Sequence, residues 1–167
     1  MQRIHHTNNS EIKIPSPIRY REMEVTMKPN GLWYSIDWSW VDWCKDNTGW
    51  THRNHFELEI DLTKVLLIDT GNKLKEFAKN FGEIPEWQKE LANSDAMKKL
   101  WDNPKRDYIN WKQVAEKYSG IEINPYHRMQ RRDYLWVSGW DVSSGCIWNL
   151  ELIKSVKQIE KNNYEKV

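Results

Sequence analysis

Cysteine is scarce in this sequence, and its two occurrences form no metal-binding or disulfide pattern. Cys44 and Cys146 stand far apart in a chain of 167 residues. Isolated cysteines of this kind are typical of small buried side chains in a reducing compartment. No apolar run approaches the ~18–20 residues of a membrane helix, and the segment 1–6 is not typical of a signal peptide. We therefore expect a cytoplasmic protein with no membrane partner.

An excess of charge of one sign is also missing. The 25 basic residues nearly balance the 24 acidic ones, for a formal net charge of +1, so the chain has no overall field to hold a polyanion. The glycine-rich phosphate loops of Rossmann and P-loop proteins are absent, and so is the His-Glu-x-x-His motif of zinc proteases. His52 and His55 lie where a strand is expected, so their side chains would splay. We predict exposed histidines there and no metal site.

Tryptophan is the residue that the sequence has in excess. It contains 11 Trp against only 3 Phe, within a globular composition of 39% hydrophobic residues. An indole combines a large apolar face with one N–H donor, so it serves both cores and surfaces that grip planar ligands. We expect most of the tryptophans to form the core and one or two to contact a ligand.

The hydrophobic periodicity predicts strands near both ends of the chain, with helices between them. The predicted strands cover residues 3–6, 32–35, 55–61, 65–68, 121–123, 134–137, 146–148 and 152–159. The predicted helices are one capped by Ser39, one over 71–81 capped by Asp69 or Thr70, a run containing Trp87 and Trp101, and one over 110–118. This order indicates a single α+β domain over residues 1–160, with a tail at 161–167 that frays.

Two segments in the first part of the chain have residue types that suit a nucleotide. In Ile4-His5-His6-Thr7 a histidine at the end of a strand can hydrogen-bond a ribose hydroxyl; the alternative is a structural histidine beside a turn. In Leu32-Trp33-Tyr34-Ser35 an aromatic ring can stack on a planar heterocycle and Ser35 offers a polar group. The alternative there is a core strand with one large side chain on each face.

A third segment places a carboxylate within an aromatic stretch. Asp141 follows Trp140 and precedes Ser143-Ser144-Gly145. A carboxylate is costly to bury unless another group pairs with it. It can bind a ribose 2′-hydroxyl and stabilise the positive charge that develops as a glycosidic bond loosens. Capping of a hairpin turn explains the same residue equally well.

Taken together, the three segments resemble the ADP-ribosyltransferase superfamily. The resemblance implies an α+β fold with a split two-sheet β core, helices around it, and a cleft for NAD. It implies that His6, Tyr34 and Asp141 are the catalytic residues, with Glu151 as the alternative acid. It implies that NAD also contacts a second group of residues: His5, Thr7, Trp33, Ser35 and Ser144.

The implied activity is transfer of ADP-ribose from NAD through an oxocarbenium-like step, to a macromolecular acceptor or to water. The acceptor, protein or nucleic acid, is expected to dock near Arg128, Arg131 and Arg132. The segment 118–148 also resembles phage and bacterial proteins, which suits a host-takeover protein acting in the host cytoplasm. The alternative is a non-enzymatic binding or inhibitor protein whose tryptophans form a recognition surface.

Overall fold

The computed structural model of the chain describes residues 1–12, 24–86, 89, 107–126 and 133–161. The strands are β1 (Arg3–Thr7), β2 (Val25–Thr26), β3 (Leu32–Ile36), β4 (Asn54–Ile60), β5 (Val65–Ile68), β6 (Ile109–Asn110), β7 (Gly120–Ile123), β8 (Ser144–Ile147) and β9 (Ile153–Ile159). The α-helices are α1 (Ser39–Asn47), α2 (Gly71–Phe81) and α3 (Trp111–Lys117), and short 3₁₀ turns cover Leu62–Lys64, Leu135–Trp140 and Leu150–Leu152.

Seven strands form one mixed sheet in the order β5-β7-β8-β3-β1-β4-β9, and β2 pairs with β6 in a separate two-stranded ladder. Only β5 and β7 run parallel; the other neighbours in the large sheet are antiparallel. A large mixed sheet with few helices confirms the predicted α+β class. The split two-sheet core of the ADP-ribosyltransferases stays a prediction.

The shortest strand pairing in the large sheet is the one between β1 and β3. These strands pair only at Arg3↔Ile36 and Ile4↔Ser35, whereas β1 pairs with β4, and β3 with β8, over four positions each. Beyond Ile4 the ladder ends, and the His5 ring bonds the Trp33 carbonyl instead. This gap between two central strands positions the site described below.

A separate apolar cluster covers each face of the sheet, as the alternation of side chains along the strands requires. One cluster joins α2, α3 and the 3₁₀ turn Leu135–Trp140 to the sheet through buried residues that include Leu74, Phe77, Trp111, Val114, Trp136 and Trp140. The other contains Tyr34, Ile36, Phe56, Leu58, Ile147 and Leu150. Burial of each large side chain stabilises the fold by roughly 1.5–3 kcal/mol.

Most predicted elements are confirmed, with two corrections. The segment 134–137, predicted as a strand, instead leads into the 3₁₀ turn Leu135–Trp140, whose Trp136, Val137 and Trp140 side chains are all buried in the core. Ser39 does not cap α1; it is the first helical residue and its hydroxyl donates to Ser143 O. Thr70 caps α2 as predicted. The predicted helical run with Trp87 and Trp101 lies outside the described residues, as do residues 162–167 of the tail.

Both cysteines are buried and free, as expected. Of the tryptophans that the structure describes, four are buried, namely Trp111, Trp136, Trp140 and Trp148. Trp50 is exposed, and the remaining four are half-buried. In the described part of the chain, every helix is too short or too polar to cross a membrane.

Candidate functional site

A cavity of about 240 Å³ opens at the β1–β3 junction. Seven of the eight residues singled out in the sequence line it: His5, His6, Trp33, Tyr34, Ser35, Asp141 and Ser144. They come from β1, β3, β8 and the loop before β8, which are separated in the chain and joined by the sheet. Thr7 is the exception, since its hydroxyl accepts from Asn9 N in the following turn. The alternative acid Glu151 is the exposed residue of the 3₁₀ turn Leu150–Leu152 and does not line the cavity.

His6 is held by both of its ring nitrogens. Its Nε2 is 2.8 Å from Ser35 Oγ, and its Nδ1 is 2.9 Å from His55 Nδ1. Because Ser35 Oγ donates its own proton to Asp37 O, it must accept from His6 Nε2–H. A neutral His6 then has a bare Nδ1, which accepts from His55 Nδ1–H. Both ring nitrogens of His6 are therefore engaged within the protein, and a bond to a ribose hydroxyl would require one of these bonds to break. The catalytic role that the resemblance implies for His6 stays a prediction.

In His5, unlike His6, only one ring nitrogen is engaged by the described residues, through the Trp33 carbonyl. Its Nδ1 lies 2.7 Å from the Trp33 carbonyl and must donate to it, because a carbonyl only accepts. Burial lowers the pKa of His5, partly offset by this bond, so the ring is neutral near pH 7. In the neutral ring Nε2 is the acceptor. Residue His5 thus presents a hydrogen-bond acceptor at the cavity with its tautomer set by the backbone.

His6, His52 and His55 form a cluster with Trp38 at the cavity edge. The His6 ring centroid is 5.1 Å from that of His55 and 6.1 Å from that of His52. Burial, followed by the nearby His55 and His52, lowers the pKa of His6 to about 3. His52 and His55 are half-buried and not exposed as predicted, because the strand pairing of His6 with His55 brings them together. Within the described ranges no group of side chains is arranged to hold a metal ion.

Tyr34 borders the cavity but its ring belongs to the core. The side chain is only 2% exposed, and its hydroxyl donates to Glu122 Oε2 at 2.9 Å. Arg3 completes the network with two bonds to Glu122, at 2.7 and 3.1 Å. A ring packed in this way offers little surface to a planar ligand, and the catalytic role that the resemblance implies for Tyr34 stays a prediction. Trp33, half-buried on the opposite face of β3, is the strand residue that can contact a ligand.

Asp141 has a backbone conformation that few non-glycine residues adopt. Its φ is 33° at the point where the 3₁₀ turn ends, in the region that favours glycine and costs of order 1 kcal/mol or more. Ser144 Oγ donates to Val142 O at 2.9 Å and so fixes the loop that follows. Strained residues of this kind concentrate at functional sites. The loop presents a carboxylate at the cavity wall.

Several lining residues were not singled out in the sequence: Lys28, Trp40, His52, Gly139, Trp140 and Val142. Lys28 had a signal, since it opens the Lys28-Pro29-Asn30-Gly31 turn that leads directly into β3. Its Nζ lies 4.8 Å from the centroid of the Trp33 ring. Burial lowers the pKa of Lys28, and the nearby Asp141 opposes that shift. The cavity therefore has one cationic and one anionic wall residue among its described side chains.

Comparison of the chain with known protein families, with curated proteins and with solved structures finds no match. The basic residues Arg128, Arg131 and Arg132 lie outside the described residues. Chemically, the cavity combines a neutral imidazole acceptor on His5, an indole on Trp33, a carboxylate on Asp141 and an amine on Lys28. These groups suit a ligand that has hydroxyls, a planar ring and both positive and negative charge.

Proposed function

We propose that this chain binds NAD and breaks the bond between nicotinamide and ribose, passing ADP-ribose to a macromolecular acceptor or to water. The observation that supports the proposal is the convergence of seven residues, chosen for their resemblance to ADP-ribosyltransferases, around one cavity. They come from segments that begin near residues 5, 33 and 141.

The sheet itself supports the same proposal. The two-position junction of β1 and β3 divides it into the groups β5-β7-β8-β3 and β1-β4-β9. Such a division is compatible with the split β core that the ADP-ribosyltransferase resemblance implies. The cavity lies at the division, where a cleft for NAD is expected.

In the proposed reaction each residue acts on the nicotinamide riboside part of NAD. His5 Nε2 accepts a hydrogen bond from a ribose hydroxyl, and the Trp33 indole contacts the planar nicotinamide. Asp141 stabilises the positive charge that develops on the ribose carbon as nicotinamide leaves with the bonding electron pair. His6 acts as a positioning residue, because its bond to Ser35 and its bond to His55 fix that side of the cavity.

The proposal is tested by incubating the protein with NAD that is labelled on the adenosine side, with and without cell lysate. We expect released nicotinamide, and label on protein, on nucleic acid or on free ADP-ribose. Asp141→Asn, which keeps the shape of the side chain and removes its charge, should lower the rate about a hundredfold or more. Glu151→Gln is the matched control, since Glu151 does not line the cavity. NAD that stays intact under all conditions would refute the proposed activity.

A non-enzymatic binding protein is the second candidate, and the exposed Trp50 favours it. Trp50 is 63% exposed, and the half-buried rings of Trp40 and Trp43 stack on each other at 5.1 Å. Tryptophan is enriched among the residues that dominate binding at protein interfaces. If the protein is a binding protein, we expect Trp50→Ala to abolish capture of a partner, and NAD to remain unconsumed. If the protein is an enzyme, we expect the same variant to release nicotinamide at the wild-type rate.

A further inference from the structure

The Lys28 side chain places its charged end against the aromatic wall of the cavity. Its Nζ lies 4.8 Å from the centroid of the Trp33 ring, and the charge of the nearby Asp141 acts on it. The aliphatic stem runs along Gly139, where a Cβ would stand 3.0–3.2 Å from three of its carbons. The cavity therefore already contains a cation, which the chain itself supplies.

The surroundings of this ammonium group are those of a site for an organic cation. The face of an indole attracts a cation through its quadrupole, an arrangement that proteins also use to recognise ligand cations. The Trp140 ring meets the Trp33 ring at 4.8 Å and an angle of 62°, and both line the cavity. Burial lowers the pKa values of the three lining histidines, which are neutral near pH 7. Asp141 and Lys28 are therefore the two charges of the described lining.

The Lys28 side chain can leave this position without a change in the fold. Thr26 Oγ1 donates to Lys28 O at 2.7 Å and fixes the backbone of the turn, whereas the lysine stem is flexible and the residue as a whole is exposed. Burial against the cavity wall lowers the pKa of Lys28, so its ammonium group is less well hydrated there than in water. Outward movement would restore that hydration and free the Trp33 face for a ligand.

We propose that Lys28 is a tethered competitor in a site for planar organic cations, and that such a ligand binds by displacing the ammonium group from the Trp33 face. A planar cation covers more of the indole than an ammonium group can, and its delocalised charge is more weakly hydrated. With Lys28 displaced, Asp141 is the remaining charge of the described lining, so a cationic ring is favoured over a neutral one. This role of Lys28 does not require that the protein cleaves NAD.

Calorimetric titration of the full chain with N-methylpyridinium, a planar cation, and with neutral pyridine tests this role near pH 7. We expect Lys28→Ala to bind N-methylpyridinium about tenfold more tightly than the wild type, because the internal competitor is gone. Lys28→Arg keeps a competing cation that stacks well on indole and should show no gain. Asp141→Asn should remove the preference for N-methylpyridinium over pyridine. Lys45→Ala on α1 is the control, because Lys45 is exposed and does not line the cavity.

A second measurement follows the displaced group in the wild-type protein. In nuclear magnetic resonance spectra N-methylpyridinium should shift the indole N–H signal of Trp33 and the side-chain signals of Lys28. The proposal is overturned if these signals do not move, if Lys28→Ala binds N-methylpyridinium no more tightly than the wild type, or if pyridine binds the wild type equally well. Tighter binding by Lys28→Ala in a protein that consumes no NAD would support the role of Lys28 and refute only the enzymatic proposal. Cleavage of NAD without that gain in binding would do the reverse.

Discussion

At the scale of single residues, the Arg3–Glu122–Tyr34 network joins three strands of the sheet, β1, β7 and β3, through side-chain hydrogen bonds. The side chains of Arg3 and Glu122 are 13% and 6% exposed, so their charges are largely removed from water. A buried charge that loses its partner is costly, whereas an exposed ion pair contributes little. The network therefore matters for stability mainly because the loss of one partner would leave the other charge buried and unpaired.

Arg3→Met tests this cost. We expect a loss of about 3–5 kcal/mol in the free energy of unfolding, because Glu122 would remain buried without its partner. Lys73→Met is the control: the pair Lys73–Asp69 is 52% exposed on each side and should contribute less than about 1 kcal/mol. Urea denaturation measures both. Equal losses of unfolding free energy in the two variants would show that the burial of Glu122 does not increase the cost of losing its partner.

Gly145 is required by the packing of Tyr34. A Cβ on Gly145 would stand 2.3 Å from Tyr34 Cζ, and the Tyr34 ring is held in place by its burial and by its hydrogen bond to Glu122. Gly145→Ala should destabilise the protein by about 1–3 kcal/mol or more. Gly49→Ala is the comparison, since Gly49 has φ 70° and open space around it and should cost about 1 kcal/mol from strain alone. Thermal unfolding that ranks Gly49→Ala as the more harmful change would contradict this packing.

At the scale of elements, the helix ends differ in how they are stabilised. Asn110 caps α3 by accepting from Gln113 N at 3.0 Å, while no side chain caps α1. A lost N-cap typically costs about 0.5–2 kcal/mol. The sequence alone favoured Ser39 as a cap, because serine is among the preferred residues and precedes a helical pattern.

The variants Asn110→Ala and Ser39→Ala distinguish a residue that caps a helix from one whose side chain could cap a helix but does not. We expect about 1 kcal/mol of destabilisation from Asn110→Ala and a smaller effect from Ser39→Ala, whose hydroxyl makes one long bond of 3.3 Å. Chemical denaturation monitored by circular dichroism measures the difference. The reverse order would mean that α1 is capped in solution.

At the scale of the whole molecule, the histidine cluster couples stability to pH. The pKa of His6 is about 3 in the folded protein and about 6.5 in the unfolded chain. Burial also lowers the pKa values of His5, His52 and His55. Below pH 6.5 the unfolded chain binds protons that the folded protein does not, so stability falls as the pH falls.

Urea unfolding at pH values between 7.5 and 4 tests this coupling. We expect the free energy of unfolding to be constant above about pH 7 and to decrease steadily below about pH 6.5. His6→Gln should reduce the slope, because its side chain does not titrate. A control variant of the exposed Lys73 should keep the wild-type slope. Stability that rises on acidification would contradict the burial of the cluster.

The residue pattern along the chain was enough to predict the α+β class and most of the strands, while the family resemblance selected seven of the residues that line the cavity. The class and the strands depend on periodicity and residue type, which are local properties of the chain. Tertiary structure alone decided which ring nitrogen of His5 is available, which face of β3 Tyr34 occupies and where Lys28 points. Those outcomes depend on partners distant in sequence, such as Trp33 for His5, His55 for His6 and Glu122 for Tyr34. No local pattern specifies such partners, because strand register and pairing order are set by the packing of the whole sheet.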